Sequence, residues 1–365
     1  MSITLSNRLS AVKPSPTLAI TARAAELRAA GKDIIGLGAG EPDFDTPDHI
    51  KSAAIEAINQ GFTKYTAVDG TPSLKQAIID KFKQDNQFDY TAKQILVSSG
   101  GKQSFYNLAQ ALLNKGDEVV ISAPYWVSYP DMVLLADASP VIIKTTQAQN
   151  FKISADQLRA AITDKTRLFV INSPSNPTGA AYSLEELKAL ADVLLDYPDI
   201  VIATDDMYEH ILWEKDSFIN ILNASPKLYD RTLVLNGVSK AYSMTGWRIG
   251  YAAGPEKIIS GMRKVQSQST SNPCSISQRA AEAALKGSND CIDIMMVEFK
   301  KRHDFVVDEL NKLPGISCLK TDGTFYVFPD ISELINTLPG IENDLDLAEY
   351  FIEKAEVAIV PGSAF

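Results

Sequence analysis

Short runs of Val, Ile and Leu, each closed off by Gly, Pro, Ser or Asp, recur through the middle of the chain. They are ILVSS (from Ile95), EVVISAP (from Glu118), PVIIKTT (from Pro140), TRLFVINSP (from Thr166), DIVIATD (from Asp199), TLVLNG (from Thr232) and RIGYAAG (from Arg248). None alternates strictly between apolar and polar. Strands buried on both faces of a mainly parallel sheet have that pattern. Between several of them lie stretches of helical spacing, such as SLEELKALADVLLDY. The alternation predicts an α/β fold, a mainly parallel seven-stranded sheet with helices on both faces. Ahead of it, TPDHIKSAAIEAINQG predicts a helix with Thr46 as N-cap, Pro47 in the first turn and Gly61 as the stop.

From Cys291 onward the pattern changes. A long amphipathic stretch, CIDIMMVEFKKRHDFVVDELNKL, leads into ISCLKT, TFYVFPD, a helical DLAEYFIEKA and a last strand in VAIVPG. This reads as a second, smaller α+β unit, and the N-terminal helix LAITARAAELRAAG joins it. The expected division is residues 1–40 with the small unit, 41–290 as the large unit and 291–365 as the C-terminal small unit.

Composition narrows the function classes. The 365 residues suffice for a large core plus a smaller unit, and 45% hydrophobic with 22% charged residues is ordinary for a soluble globular protein. A net charge of -10 repels phosphate backbones, so nucleic acid is not an expected partner. Cys274, Cys291 and Cys318 form no CxxC pair, and His49, His210 and His303 form no HxxxH pair. Reduced thiols, a cytoplasmic location and no metal site are therefore expected. No apolar run of membrane-spanning length and no apolar leader region is seen, so no membrane association is expected.

In a parallel sheet, ligands bind beyond the carboxyl ends of the strands. GGKQS follows the strand from Ile95, YWVSY the one from Glu118, and SNPTG the one from Thr166; Asp206 and Tyr208 follow DIVIATD, and Val238, Ser239 and Lys240 follow TLVLNG. Gly100 and Gly101, opening a helix, leave backbone N–H groups free for a phosphate, and Arg248 adds a bidentate cation. Trp126 offers a flat face for a ring. Asp205 suits a positively charged ring nitrogen. Lys240, desolvated and near other cations, becomes an amine able to form a Schiff base. Taken singly, each has a plainer use: the glycines as a turn, Trp126 as core, Asp205 as a helix cap, Asn176 as a turn residue, Lys240 as a surface lysine. Together they describe a site for pyridoxal 5′-phosphate. GLGAG (Gly36, Gly38, Gly40) lacks the GxGxxG spacing of a dinucleotide fingerprint.

Across KPSPT, GAGEPDFDTP, KYTAVDGTPSLKQAI, SSGGKQSFYN, PYWVSYP, NSPSNPTG, TDDMYEH and SKAYSMTGWRIGY, from about Lys13 to the end, the chain resembles the fold-type I pyridoxal-phosphate aminotransferases of class I, in particular the bacterial-type aspartate aminotransferases. The resemblance implies a fold-type I transferase fold and transamination of L-aspartate with 2-oxoglutarate, giving oxaloacetate and L-glutamate by a ping-pong mechanism. It implies that Lys240 carries the cofactor aldehyde and then moves the proton between substrate Cα and cofactor C4′. Asp205 would keep the ring nitrogen protonated, Tyr208 would bond the ring oxygen, and Asn176 would assist it and touch the substrate carboxylate. Trp126 would stack on the ring and border the substrate. Gly100, Gly101, Lys102, Ser239 and Arg248 would bind the cofactor around its phosphate. Tyr65 would reach the phosphate in a neighbouring subunit, making the active unit a homodimer. Gly38 would lie beside the substrate α-carboxylate, its N–H donating.

One class of aspartate aminotransferases binds the side-chain carboxylate through a partner arginine, but QSQSTSNP has Ser267 about where it would stand. The resemblance assigns that carboxylate to Lys102 with Ser15 and Thr17 instead. The KPSPT segment also resembles that of enzymes accepting prephenate, which gives Lys13 a substrate role; a solvated N-terminal lysine is the alternative. In the family the chain continues past VPGSAF into a segment carrying the arginine for the substrate α-carboxylate. This sequence stops at Phe365, which is read as an incomplete copy of a longer protein; a truly short product is the other reading. Two further readings are another pyridoxal-phosphate reaction on the same fold, such as β-elimination, and a cofactor-binding homologue without turnover.

Overall fold

The computed structural model describes residues 3–12, 16–214 and 218–365; of residues 16–18 only the backbone is described. Seven strands form the central sheet: β2 (Ile95–Ser98), β3 (Glu118–Ala123), β4 (Ser139–Lys144), β5 (Thr166–Asn172), β6 (Val201–Asp205), β7 (Thr232–Gly237) and β8 (Gly250–Ala253). Their order is β2-β8-β7-β6-β5-β3-β4. All neighbours are parallel except β8, which runs antiparallel to both β2 and β7. Each apolar run of the sequence therefore supplies one strand. Residues of one strand feed two cores in turn: Val120, Phe169, Ile171, Ile202 and Val234 pack on one face, Val119, Ile121, Leu168, Val170, Ala203 and Leu235 on the other. Period-two side chains with apolar layers on both faces explain why the runs do not alternate with polar residues.

The order of the strands reverses between β3 and β5, leaving a crevice at their carboxyl ends. At the carboxyl end of β7, Gly237 and Gly250 let backbones approach closely: a Cβ on Gly250 would lie 2.3 Å from the Gly101 amide nitrogen.

A smaller sheet pairs β1 (Ile35–Gly36) in parallel with β9 (Val357–Ala358). Ala24 and Leu27 of the helix Pro16–Ala29 pack with Ile34, Ile352 and Ala358. The long amphipathic stretch forms the helix Asp290–Leu310. ISCLKT and TFYVFPD make no regular strands; they are irregular segments joined by a single bridge, Ser317 to Asp330.

The helix expected from TPDHIKSAAIEAINQG spans Asp48–Asn59, and Gly61 beyond it has a φ of +73°, the left-handed geometry expected at a stop. Thr46, by contrast, is not its cap. Its hydroxyl donates to the Ser243 carbonyl and accepts from Trp247 Nε1, so tertiary partners take the group that a cap would have used. No helix among the described residues is long and apolar enough to cross a membrane.

Candidate active site

The carboxyl ends of β3, β5, β6 and β7 open into one cleft of about 1910 Å³. The helix Gly101–Leu112 starts at its edge, preceded by Gly100 at φ +91°. The first amides of a helix have no intrahelical acceptor, and its N-terminal end is electropositive. The Arg248 guanidinium lies against Gly100, where a Cβ would come within 2.2 Å of Nη2. Arg248 holds a left-handed backbone (φ +56°), uncommon for a residue with a side chain, and Nη1 bonds the Thr245 carbonyl at 2.8 Å. Only glycine at position 100 leaves room for this cradle of backbone amides and guanidinium.

Asp205 ends β6 and faces the cleft, while its neighbour Asp206 turns away. Asp205 Oδ2 accepts from the Tyr129 hydroxyl at 2.5 Å and Oδ1 from the Met207 amide at 3.2 Å. Burial raises its carboxyl above the ordinary range; the bonds from Tyr129 and Met207 and the nearby Lys240 oppose that. A cation facing it offsets the cost of burying that charge. Asp206 accepts from Thr204 Oγ1 at 2.6 Å and from Asn220 Nδ2 at 2.5 Å, and burial followed by repulsion from Glu209 pushes it up to about 8.

The loop carrying Tyr208 is braced from behind. The Lys81 ammonium pairs with Glu209 in the interior, and Glu209 also accepts from Asn86 Nδ2 and Asn236 Nδ2. Burial alone would raise Glu209, but Lys81, His210 and Asn86 outweigh it and leave the carboxyl below its ordinary value. Asp85, Glu209 and His210 converge here, and the Lys81 ammonium lies among them.

Lys240 follows β7 and reaches across the cleft, Nζ donating to the Gly40 carbonyl at 2.5 Å. Burial pulls its amine down to about 8, and Arg248 adds to the effect while Glu41 and Asp205 oppose it. Tyr208 is buried, with Asn176 Nδ2 at 3.5 Å and the Tyr326 hydroxyl at 2.7 Å from its own. Asn172 ties two strand ends together: Nδ2 donates to the Asp205 carbonyl at 2.8 Å and Oδ1 accepts from the Asn176 amide at 2.7 Å. Trp126 stands edge-on to Tyr129, with the Lys102 ammonium 5.2 Å from its ring centre. Burial lowers the Lys102 amine, and Arg248 adds to that.

The structure thus brings Gly38, Gly101, Lys102, Trp126, Asn176, Asp205, Tyr208, Ser239, Lys240 and Arg248 into one cleft, with Gly100 directly behind Arg248. Tyr65 is not among them: it is 92% exposed, outside the cleft. Lys13 and Ser15 lie outside the described residues, as does the Thr17 side chain. Sequence reasoning missed Tyr129, Asn172 and Tyr326. Asn172 ends β5 in the quoted segment NSPSNPTG, and Tyr129 stands in the first turn of the helix Ser128–Leu135, in the quoted segment PYWVSYP, so both could have been flagged; nothing local marks Tyr326.

The donor set fits pyridoxal phosphate. An amide and guanidinium cradle suits a dianionic phosphate, a buried carboxylate a protonated ring nitrogen, a phenol the ring oxygen, and an amine of lowered basicity an aldehyde.

Comparison with known proteins agrees. Residues 32–365 match the family described as aminotransferase class I and II. An aspartate/prephenate aminotransferase of Nitrosomonas europaea is 63% identical over 366 residues, covering 99% of this chain and 92% of its own length. One from Cereibacter sphaeroides is 54% identical over 365 residues, covering 99% and 91%. The crystal structure of an aspartate aminotransferase from Rhizobium meliloti superposes with a TM-score of 0.95 at 46% identity, over 100% of this chain and 92% of the other. A Thermus thermophilus aspartate aminotransferase with maleate gives 0.92 at 41%, with the same coverage.

Proposed function

Because the chain belongs to the class I and II aminotransferases, enzymes that work with pyridoxal 5′-phosphate, we propose that it transaminates L-aspartate with 2-oxoglutarate, giving oxaloacetate and L-glutamate. The names of its relatives support aspartate as amino donor and add prephenate as a second 2-oxo acid acceptor. The observation that carries the reading is the convergence of Lys240, Asp205 and the Gly100–Arg248 cradle in one cleft.

When bound, the cofactor supplies an aldehyde for the incoming amino group and a protonated ring that takes up the electron pair left at the substrate Cα. The protein's residues do the rest. The cradle of Gly100, Gly101, Ser239 and Arg248 would hold the phosphate and set the ring's depth. Asp205, itself oriented by the Tyr129 hydroxyl, would keep the ring nitrogen charged. Trp126 would cover one ring face. Tyr208, with Asn176 beside it, would donate to the ring oxygen. The Lys240 amine is less basic than a surface lysine, so near neutral pH a useful fraction is neutral and able to take a proton from Cα. Lys240, reaching across the cleft, would be the residue that carries this proton and hands it on. The same residues would serve both halves of a ping-pong reaction, one with the amino acid and one with the accepting 2-oxo acid.

Lys102, close to the ring of Trp126, would take the distal carboxylate of aspartate, a role shared with Ser15 and Thr17. Gly38 would donate its N–H to the α-carboxylate, and Lys13 would bind the second carboxylate of prephenate. The proposal includes a homodimer, in which the exposed Tyr65 reaches the partner's phosphate, and a cytoplasmic enzyme. It also includes a division into 41–290 and a small unit built from 1–40 and 291–365. The β1–β9 pairing and the packing of the N-terminal helix on Ile352 and Ala358 support that division.

The test is the absorbance of the purified protein with pyridoxal phosphate on addition of L-aspartate. Conversion to the amino form of the cofactor, reversed by 2-oxoglutarate, is the expected result. A cofactor spectrum that ignores aspartate but responds to another amino acid would replace the substrate assignment.

A further inference from the structure

Tyr208 has one proton to give, and the structure places two groups against its hydroxyl: Asn176 Nδ2 at 3.5 Å and the Tyr326 hydroxyl at 2.7 Å. A phenol donates once and accepts twice, whereas an amide nitrogen only donates. The shared Tyr–Tyr bond has two possible directions. If Tyr208 donates to Tyr326, its proton is spent on the protein. If Tyr326 donates, the Tyr208 O–H is free to point into the cleft. Burial holds both phenols protonated at neutral pH, Tyr326 up to about 12 and Tyr208 well above its ordinary value.

We propose that Tyr326 is a positioning residue: by donating to Tyr208 it turns the single Tyr208 proton toward the bound ring oxygen, forming the chain Tyr326 O–H to Tyr208 O–H to ring oxygen. The inference rests on the cofactor reading above and deepens it.

Tyr326 is fixed where this requires. Its segment is docked onto the stretch following Tyr208. The Trp213 amide donates to the Asp322 carbonyl at 2.9 Å, and the Thr324 amide to the Ile211 carbonyl at 2.8 Å. Gly323 bridges Leu212, and a Cβ on Gly323 would lie 2.1 Å from the Ile211 carbonyl oxygen, so only glycine permits this approach. Thr324 holds a φ of +66°, strained for a β-branched residue, and its hydroxyl accepts from the Tyr326 amide at 3.2 Å. A Cβ on Gly40 would lie 2.9 Å from the Tyr326 hydroxyl oxygen, and the Gly40 carbonyl accepts from Lys240. The phenol is thus wedged between the ring-oxygen donor and the backbone that receives the reactive amine. Hydrogen bonds in series polarise one another, so the outer donor strengthens the inner one.

The test uses Tyr326→Phe, Tyr208→Phe and the double variant, with two readouts. The first is equilibrium binding of 4′-deoxypyridoxine 5′-phosphate to the apo-protein; that analogue has the ring oxygen and phosphate but no aldehyde. The second is the pH at which the bound cofactor's absorbance changes. A donor to an anionic ring oxygen favours the deprotonated chromophore, so its loss moves the transition upward. Tyr326→Phe is expected to weaken analogue binding about three- to tenfold, on the scale of one hydrogen bond, and to raise the transition pH. In the Tyr208→Phe background the same substitution is expected to change neither. A loss that persists without the Tyr208 hydroxyl reports packing or direct contact and overturns the inference, as does a Tyr326→Phe protein indistinguishable from wild type. Wild-type protein that binds neither analogue nor cofactor overturns the cofactor reading itself.

Discussion

The carboxyl rim of the seven-stranded sheet and residues 323–330 face each other across one cleft, but different means hold them. The rim is built on strands whose side chains are buried on both faces, and its loops are locked from behind by Lys81, Glu209, Asn172 and Asn236. Residues 323–330 form no regular strand; two isolated bridges and a strained Thr324 hold them in place. The groups proposed to handle the cofactor stand on the rim, where their spacing is set by the sheet. Tyr326 reaches the site from a segment placed only by tertiary contacts.

The rim's rigidity is the first thing to break. Lys81 is 6% exposed and Glu209 6% exposed, so Lys81→Met leaves a buried carboxylate without its cation. Removing one partner of such a pair costs about 3–5 kcal/mol. A lower urea midpoint by that measure is expected; an unchanged midpoint means the pair does not brace the rim.

The adjacent aspartates sharpen the contrast within the rim. Asp205→Asn is expected to reduce kcat about 10²–10³-fold, the scale of losing one preorganised charge. Asp206→Asn, which faces Thr204 and Asn220 rather than the cleft, is expected to alter stability with far less effect on turnover of the folded protein. Equal losses in kcat would remove the distinction.

Next comes substrate choice. Lys102→Met is expected to lower kcat/KM for aspartate about 10–100-fold, the scale of a charged hydrogen bond, while sparing an apolar amino acid. Equal losses for both substrates argue against a carboxylate contact.

The smallest effect is in pH. The Lys240 amine titrates near 8, and only its neutral form attacks an aldehyde. Cofactor association with the apo-protein is therefore expected to speed up about tenfold per pH unit below 8 and to level off above it. A rate still climbing toward pH 10 would mean the amine is no less basic than a surface lysine.

The same contrast explains what could be read from the sequence. The seven strands and the residues just beyond them were legible because runs such as EVVISA and TLVLNG are buried on both faces and stop abruptly at the cleft. Asp205 stands at the end of β6 and lines the cleft, in keeping with its place at the end of DIVIATD. Tyr326 was not legible: it lies in TFYVFPD, an apolar run that reads like any strand, and its meaning depends on a partner 118 positions away. Thr46 had the signature of a helix cap, but a carbonyl 197 positions away and an indole 201 positions away claim its hydroxyl. Local pattern identifies what the sheet places, and fails where long-range partners compete for the same polar group.

The central claim is that Lys240 is the amine that takes the cofactor aldehyde. Reducing the cofactor-loaded protein with sodium borohydride, digesting it and locating the modified peptide by mass spectrometry tests this directly. The account predicts a pyridoxyl-phosphate adduct on Lys240, in the peptide around SKAYSMTGWR, and its loss in Lys240→Ala. An adduct on Lys102 or another lysine, with Lys240 unmodified, would contradict it.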